Sequence, residues 1–192
     1  MPKGFTYEEK EIITEKLMKE CKLNWQKYGY KKTSIDTLCQ DIGISKGSFY
    51  SFFESKEALF YQVIKETLDQ LYSIVEERIS QKQNKYGVAD ALKEIYLEYS
   101  KSSFMYDVNN PDFLSFYNKL NKEQRLELTD KSYLGAKIML HKPFLSLKIE
   151  ENLAISLLFA MLSSVSQKDD MLCEGTKVFE FMIDHLIDDI FD

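Results

Sequence analysis

The sequence predicts an all-α protein, and three observations carry this prediction. Glycine and proline are scarce, with 7 and 3 residues among 192. Apolar residues recur at helical spacing, and no alternating strand pattern bounded by turn residues runs through the chain. Residues that cap helices stand where the periodic segments begin. We therefore expect a small N-terminal helical unit at residues 1–56 and a larger helical body at residues 57–192.

Three helices are predicted in the N-terminal unit. Thr6 and Glu9 form a capping-box pattern that starts the first helix, which runs to about Tyr28 and stops at Gly29. A second helix begins near residues 33–34 and ends at Gly43, and Ser45 caps a very short third helix in the stretch SKGSFYSFF. Two short helices joined by a tight, glycine-containing turn are typical of a helix-turn-helix.

The remaining helices follow from apolar periodicity and from chain breaks. A fourth helix opens at Ser55 and runs to about Gln81. Further helices are predicted at about 88–104, 112–119, 122–141, 148–168 and 175–191. The fourth helix therefore bridges the N-terminal unit and the body.

Composition bounds the class of protein. The chain is 44% apolar and 29% charged, and no segment approaches the roughly 20 uncharged apolar residues of a membrane span. Its N-terminus has no apolar core of the signal-peptide type, so we expect a cytoplasmic protein without a membrane partner. The three cysteines and two histidines lack the spacing of a disulfide framework or a zinc site. We expect no metal and no cofactor. We also expect no enzymatic activity, because neither a catalytic triad order nor a phosphate-binding glycine loop is present.

Charge is distributed unevenly along the chain. Residues 1–56 hold 10 lysines against 8 acidic residues, a net charge of +2, whereas the whole chain has a net charge of −6. Residues 57–192 therefore carry a net charge of −8. Only the N-terminal unit is suited to meet a polyanion.

The short third helix carries the chemistry expected of a DNA-reading element. In a helix-turn-helix the second helix of the motif lies in the major groove, so its outward residues are short or flexible. Lys46 can reach a phosphate or a guanine edge, Gly47 lets the backbone approach DNA, and Ser48 can bond to a base. Tyr50 can give its hydroxyl to a phosphate. By periodicity alone, an ordinary surface turn with an aromatic core behind it stays equally open.

Spacing in this region resembles that of the TetR-type transcriptional regulators over about the first 60 residues. The matching positions are Thr33, Ile35, Leu38, Gly43, Ile44, Ser45, Gly47, Tyr50, Phe53, Lys56 and Leu59. The resemblance implies a three-helix DNA-binding head on a ligand-binding and dimerisation body. It also implies a homodimer on a palindromic double-stranded operator, most often a repressor released by a small molecule.

The same resemblance assigns DNA contacts by position. Ser45, Lys46, Gly47, Ser48 and Tyr50 resemble the recognition helix and its cap. Thr33 and Ser34 resemble phosphate contacts of the second helix, and Lys56 resembles the phosphate contact at the start of the fourth. Phe52 stands where the family often has tyrosine or histidine, so no contact is assigned to it.

Aromatic and methionine residues in the centre of the body predict an adaptable apolar pocket for a small effector. The candidate lining residues are Phe104, Tyr106, Phe113, Phe116, Tyr117 and Met139. A plain hydrophobic core is the alternative, because a helical bundle must be filled with such residues.

The last two helices offer more apolar surface than one packed face needs, and in the family this pair forms a four-helix interface with its symmetry mate. The candidate interface residues are Leu153, Leu157, Leu158, Met161, Leu162, Val165, Val178, Phe179, Met182, Leu186 and Ile190. A monomer that buries these residues in its own core stays open.

The sequence thus predicts a sequence-specific DNA-binding transcriptional regulator. The favoured form is a repressor that leaves its operator when it binds an apolar or amphipathic ligand. The alternative is a helical protein-interaction adaptor with vestigial DNA binding. The identity of the effector and the operator sequence stay open.

Overall fold

The computed structural model describes residues 5–192, which form ten α-helices and one 3₁₀ helix. The α-helices are α1 (Tyr7–Lys32), α2 (Ile35–Ile42), α3 (Lys46–Phe49), α4 (Lys56–Gln81), α5 (Lys85–Ser100), α6 (Ser103–Tyr106), α7 (Pro111–Tyr117), α8 (Lys122–Leu140), α9 (Glu151–Ser163) and α10 (Gly175–Ile190). The 3₁₀ helix, Ser164–Asp170, follows α9 directly. Within the described residues the single β-type pairing is an isolated bridge between Leu147 and Phe191. The all-α prediction is confirmed.

Helix starts agree with the caps predicted from the sequence. Thr6 and Glu9 form the capping box of α1, with the Thr6 hydroxyl 3.2 Å from the Glu9 amide nitrogen. Ser45 and Ser55 each accept a backbone N–H three residues later, at the starts of α3 and α4. Two segments differ from the prediction. The helix expected at 88–104 is divided into α5 and α6 at Ser102, and the helix expected at 148–168 continues as a 3₁₀ helix after residue 163.

Gly29 interrupts α1 near the predicted position. Its backbone has φ 83° and ψ 169°, a conformation outside the helical region and open in practice only to glycine. Residues 30–32 resume helical geometry after this kink. The chain is thereby redirected towards the helix-turn-helix.

The hydrophobic core has two parts. One lies in the body and joins the C-terminal half of α4 to α5, α9 and α10. The other joins the head to α6, α7 and α8. Trp25 of α1 is fully buried in the second part and packs on Phe60, Phe113 and Phe116, with ring centroids 4.7–6.1 Å apart. The head therefore shares its core with the body.

No helix in residues 5–192 combines the length and the apolar character needed to cross a lipid bilayer.

Candidate nucleic-acid interface and ligand cavity

The helix-turn-helix presents α3 to solvent because aromatic side chains hold its inner face. Phe49 and Phe53, four residues apart, are both buried. Gly43 ends α2 in the left-handed conformation with φ 75°, which turns the chain sharply into α3. Tyr50 stays 54% exposed on the other side. The buried and exposed sides of this segment are thus divided as a DNA-reading helix requires.

Lys46 is exposed and forms an ion pair with Asp36 of α2. Its ammonium nitrogen lies 2.8 Å from Asp36 Oδ2, and this hydrogen bond raises the pKa of Lys46. Exposed pairs of this kind contribute little to stability, so a phosphate can replace the Asp36 carboxylate as partner. Gly47 has only the Ser45 hydroxyl near the position of a Cβ, at 3.7 Å, so its small size is not required by packing within the described residues.

The serines of the motif act as helix caps. Ser45 Oγ accepts the Ser48 N–H at 3.0 Å, and the two hydroxyl oxygens lie 2.8 Å apart. Ser34 Oγ accepts the Thr37 N–H at 3.0 Å in the same way. Each hydroxyl oxygen keeps capacity for one further partner.

Two predicted DNA contacts are placed differently from the prediction. Thr33 is buried, and its hydroxyl donates to the Gly29 carbonyl at 2.8 Å, so in this conformation its side chain stabilises the kink. Lys56 is half-buried and donates to the Tyr30 carbonyl at 2.5 Å, with its ammonium 4.0 Å from the centroid of the Tyr30 ring. Burial lowers the pKa of Lys56. In this conformation Lys56 ties α4 to α1.

A polar network joins the head to α7 of the body. The Asp112 carboxylate accepts the backbone N–H groups of Tyr30 and Lys31, the latter at 3.0 Å. Lys119 Nζ lies 2.9 Å from the Tyr30 hydroxyl oxygen and 3.0 Å from Glu57 Oε1, and the Tyr30 hydroxyl donates a hydrogen bond to the same carboxylate. Burial would raise the pKa of Glu57, but the hydrogen bonds from Tyr30 and Lys119 outweigh it and lower that pKa. These contacts fix the base of the head.

The body contains three neighbouring chambers, all of which include Tyr99 and Ser132 in their lining. The inner chamber, about 90 Å³, lies against Leu92 and Met139 and the residues around them. The middle chamber, about 320 Å³, lies beside α7, and the outer chamber, about 420 Å³, reaches Asp107 at the surface. The two larger volumes fall within the range of small-molecule sites.

Four of the six residues predicted to line a pocket do so. Tyr106, Phe113 and Tyr117 line the middle chamber, and Met139 lines the inner one. Phe104 and Phe116 are absent from the walls of the three chambers. Both pack in the core that joins head and body, where Phe116 is fully buried against Trp25.

Other lining residues were missed, because they come from helices distant in sequence and carry no motif. They include Leu68, Leu71 and Tyr72 of α4, Tyr99 of α5, and Leu128 and Ser132 of α8. Leu68 and Leu71 follow the apolar periodicity of α4, which does not distinguish a cavity wall from a filled core.

Most residues predicted for a dimer interface lie in the protomer's own core. Six of the eleven are buried in this way, because α9, the 3₁₀ helix and α10 pack against α5: Leu158, Met161, Leu162, Val165, Phe179 and Ile190. Leu186 is partly buried against the same core. The apolar surplus that suggested a partner is largely used inside the chain.

An apolar strip nevertheless stays accessible on α9 and α10. Leu153 is 49% exposed, and Leu157, Val178 and Met182 are partly exposed. Phe181, which the sequence reasoning did not include, is 67% exposed. We call these five residues the apolar strip.

Comparison with known proteins shows which family the N-terminal part of the chain resembles. Residues 25–63 match the family model described as bacterial regulatory proteins, tetR family. Over 71 residues the chain is 31% identical to the biofilm operon icaADBC HTH-type negative transcriptional regulator IcaR of Staphylococcus aureus. That match covers 37% of this chain and 37% of the length of this curated relative. The resemblance predicted from residues 33–59 is confirmed.

Solved structures share the fold along nearly the whole chain. The transcriptional regulator FadR from Bacillus subtilis, in complex with stearoyl-CoA, superposes with a TM-score of 0.70 at 15% identity, covering 92% of this chain and 98% of its own. A protein described as superantigen PfiT superposes with a TM-score of 0.69 at 16% identity, covering 95% and 97%. Likeness at this identity establishes the fold alone.

Proposed function

From the premise that residues 25–63 carry the helix-turn-helix of the TetR family of bacterial regulatory proteins, we propose that the chain is a sequence-specific, DNA-binding transcriptional regulator. It acts in the cytoplasm as a homodimeric repressor on a palindromic operator. It leaves the operator when an apolar or amphipathic small molecule occupies the chambers of the body.

One observation carries the DNA-binding part of the proposal. Buried Phe49 and Phe53 hold α3 so that Lys46, Gly47 and Tyr50 face solvent together. These groups supply a cation, a close backbone approach and a hydroxyl, which suit phosphate and base-edge contacts. Other hydroxyl oxygens of the same motif stand at the starts of α2 and α3, on the capping serines.

The polar network supports coupling between ligand and head. On α7, Phe113 and Tyr117 line the middle chamber, whereas Asp112 and the nearby Lys119 contact the head. A ligand that displaces the chamber wall therefore moves the side chains that fix Tyr30. Such coupling requires that the ligand bind one head position more tightly than the other.

The apolar strip supports the homodimer. An exposed Phe181 beside partly exposed Val178 and Met182 forms an apolar surface on α10, with Leu153 and Leu157 on α9. Pairing with the same strip of a second copy gives an isologous interface. Two linked heads then bind two half-sites with an affinity that one head does not reach.

The decisive experiment selects operators from a random pool of duplex DNA with the purified chain. We expect enrichment of a palindrome whose half-sites lie about one helical turn or somewhat more apart. Affinity for that sequence should fall steeply as salt rises, because phosphate contacts release counterions. Selection that yields no sequence, from a folded dimer, would rule out the regulator.

The second candidate is a helical protein-interaction adaptor that has lost DNA affinity. The ion pair between Lys46 and Asp36 favours the adaptor, because Lys46 already has an anionic partner within the chain. Salt-dependent binding to any duplex DNA separates the two candidates, since an adaptor should bind none.

A further inference from the structure

Tyr99 stands where the three chambers meet. Among the described residues it is the one tyrosine that lines all of them, and its ring stacks on Tyr106 with centroids 4.9 Å apart. Its hydroxyl has no hydrogen-bond partner within residues 5–192, and burial alone raises the pKa of Tyr99 to about 12. The group is therefore a protonated donor that water-filled or ligand-filled space must satisfy.

Several other donors inside the chambers are already used by the protein. Tyr72 donates to the Lys131 carbonyl, Thr67 to the Val63 carbonyl at 2.8 Å, and Ser132 to the Leu128 carbonyl at 3.0 Å. The remaining tyrosines of the lining, which are Tyr106, Tyr117 and Tyr133, do not reach the inner chamber. Tyr99 is thus the free tyrosine donor common to the whole space.

The rest of the lining is apolar and almost without charge. Among the described residues, no lysine, arginine or histidine lines any of the three chambers, and Asp107 of the outer chamber is their single carboxylate. A buried anion would lose its hydration without gaining a cation, and a buried cation would find a carboxylate only at the surface.

We propose that the chambers hold an elongated, uncharged apolar chain with one oxygen acceptor, a carbonyl of an ester, thioester or ketone, that accepts a hydrogen bond from the Tyr99 hydroxyl. The chain fills the inner and middle chambers, and any charged end of the molecule lies beyond the outer chamber in water. This assignment rests on the proposed function only for the consequence of binding, which is release of the operator.

The test compares probes with chains of ten or eleven carbons and different polarity by displacement of an environment-sensitive apolar dye. Methyl decanoate supplies the neutral acceptor, undecane lacks one, and decanoate and decyltrimethylammonium carry charges of opposite sign. We expect the ester to bind more tightly than the other three at pH 8. Its affinity should be flat between about pH 6 and 9, because Tyr99 stays protonated there.

The variant Tyr99→Phe removes the donor and keeps the ring. Ester affinity should fall roughly tenfold, which is the effect of leaving one buried carbonyl unpaired, and undecane affinity should not fall. Tyr28→Phe is the matched control, since Tyr28 of α1 is 43% exposed and lies outside the lining of the three chambers. It should leave the ester affinity unchanged.

Three results would overturn the proposal: unchanged ester affinity in Tyr99→Phe, tighter binding of either charged probe, or no binding of any probe. If Tyr99→Phe does not unfold cooperatively, the variant is not folded and the wild-type protein provides the test instead. The proposal is then contradicted if wild-type binds the ester less than about threefold more tightly than undecane. Operator binding is measured on the same preparations. An operator-binding chain without Tyr99-dependent ester affinity contradicts this inference alone, and the converse result contradicts the proposed function alone.

Discussion

A double-mutant cycle at Gly29 and Asp112 tests how the head is joined to the body. A Cβ placed on Gly29 would lie 2.7 Å from Asp112 Oδ2 and 2.8 Å from its Cγ. Gly29→Ala therefore strains a backbone conformation that is nearly restricted to glycine, at about 1–3 kcal/mol. It also pushes Asp112 away from the N–H groups of Tyr30 and Lys31.

The two hydrogen bonds to Asp112 give the second contribution to the expected loss in the free energy of unfolding. Bonds to a charged acceptor contribute about 1.5–3 kcal/mol each when buried, and we take about 2 kcal/mol for the pair because Lys31 is exposed to water. Gly29→Ala should thus destabilise the protein by about 3–5 kcal/mol, and Asp112→Ala by about 2 kcal/mol. The double variant should cost no more than Gly29→Ala alone, since the clash and the bonds are lost once.

The assay is urea unfolding followed by far-UV circular dichroism at one protomer concentration, because the proposed dimer would make the free energy of unfolding depend on concentration. The expected coupling between the two substitutions is about 2 kcal/mol, well above the few tenths seen for independent sites. Asp112→Asn is the control, since it keeps the bulk that meets the methyl group introduced by Gly29→Ala and should give weaker coupling. Additive destabilisation in the cycle would refute the contact between Gly29 and Asp112.

The other predictions concern DNA binding, assembly and ligand response. Lys46→Ala and Tyr50→Phe should weaken binding to the selected operator, each by about 1 kcal/mol, with unchanged thermal unfolding because both side chains are exposed; unchanged affinity in both at one salt concentration would exclude α3 as the reading element. Phe181→Glu should shift the chain to monomer in light scattering and reduce operator affinity, whereas Leu158→Glu should unfold it, because Leu158 is buried in the core; a wild-type monomer at micromolar concentration would remove the interface. Methyl decanoate should cause the protein to release the operator at the same concentrations that raise its melting temperature in a thermal-shift assay. A raised melting temperature without release of the operator would contradict the coupling.

Local signals explain why the helices could be predicted. Thr6, Ser45 and Ser55 each bond to a backbone group three residues away, so the start of a helix is encoded within one turn of sequence. Gly29 and Gly43 take positive φ values where the sequence reasoning placed helix ends. The solvent-facing side of α3 could also be predicted from local sequence, because two phenylalanines four residues apart lie on one face and leave the opposite face exposed.

Features that depend on distant pairing could not be predicted. Asp112 meets the backbone of Tyr30 across 82 positions, and no motif joins them. Lys56 occupies a position at which the family contacts a DNA phosphate, yet its ammonium group donates a hydrogen bond to the carbonyl of Tyr30. The surplus apolar faces of α9 and α10 look alike whether they meet a second copy or, as Leu158 does, their own core.

The chambers also make the chain sensitive to hydrostatic pressure. Apolar cavity space that water fills poorly disappears when a protein unfolds, so the apolar parts of the inner and middle chambers lower the total volume of the unfolded chain and its solvent relative to the folded state. Compression therefore favours unfolding of the protein without an occupant. An occupant that fills the space with its own atoms removes this volume difference. Ligand binding should accordingly be visible as resistance to pressure even when it changes no contact at the surface.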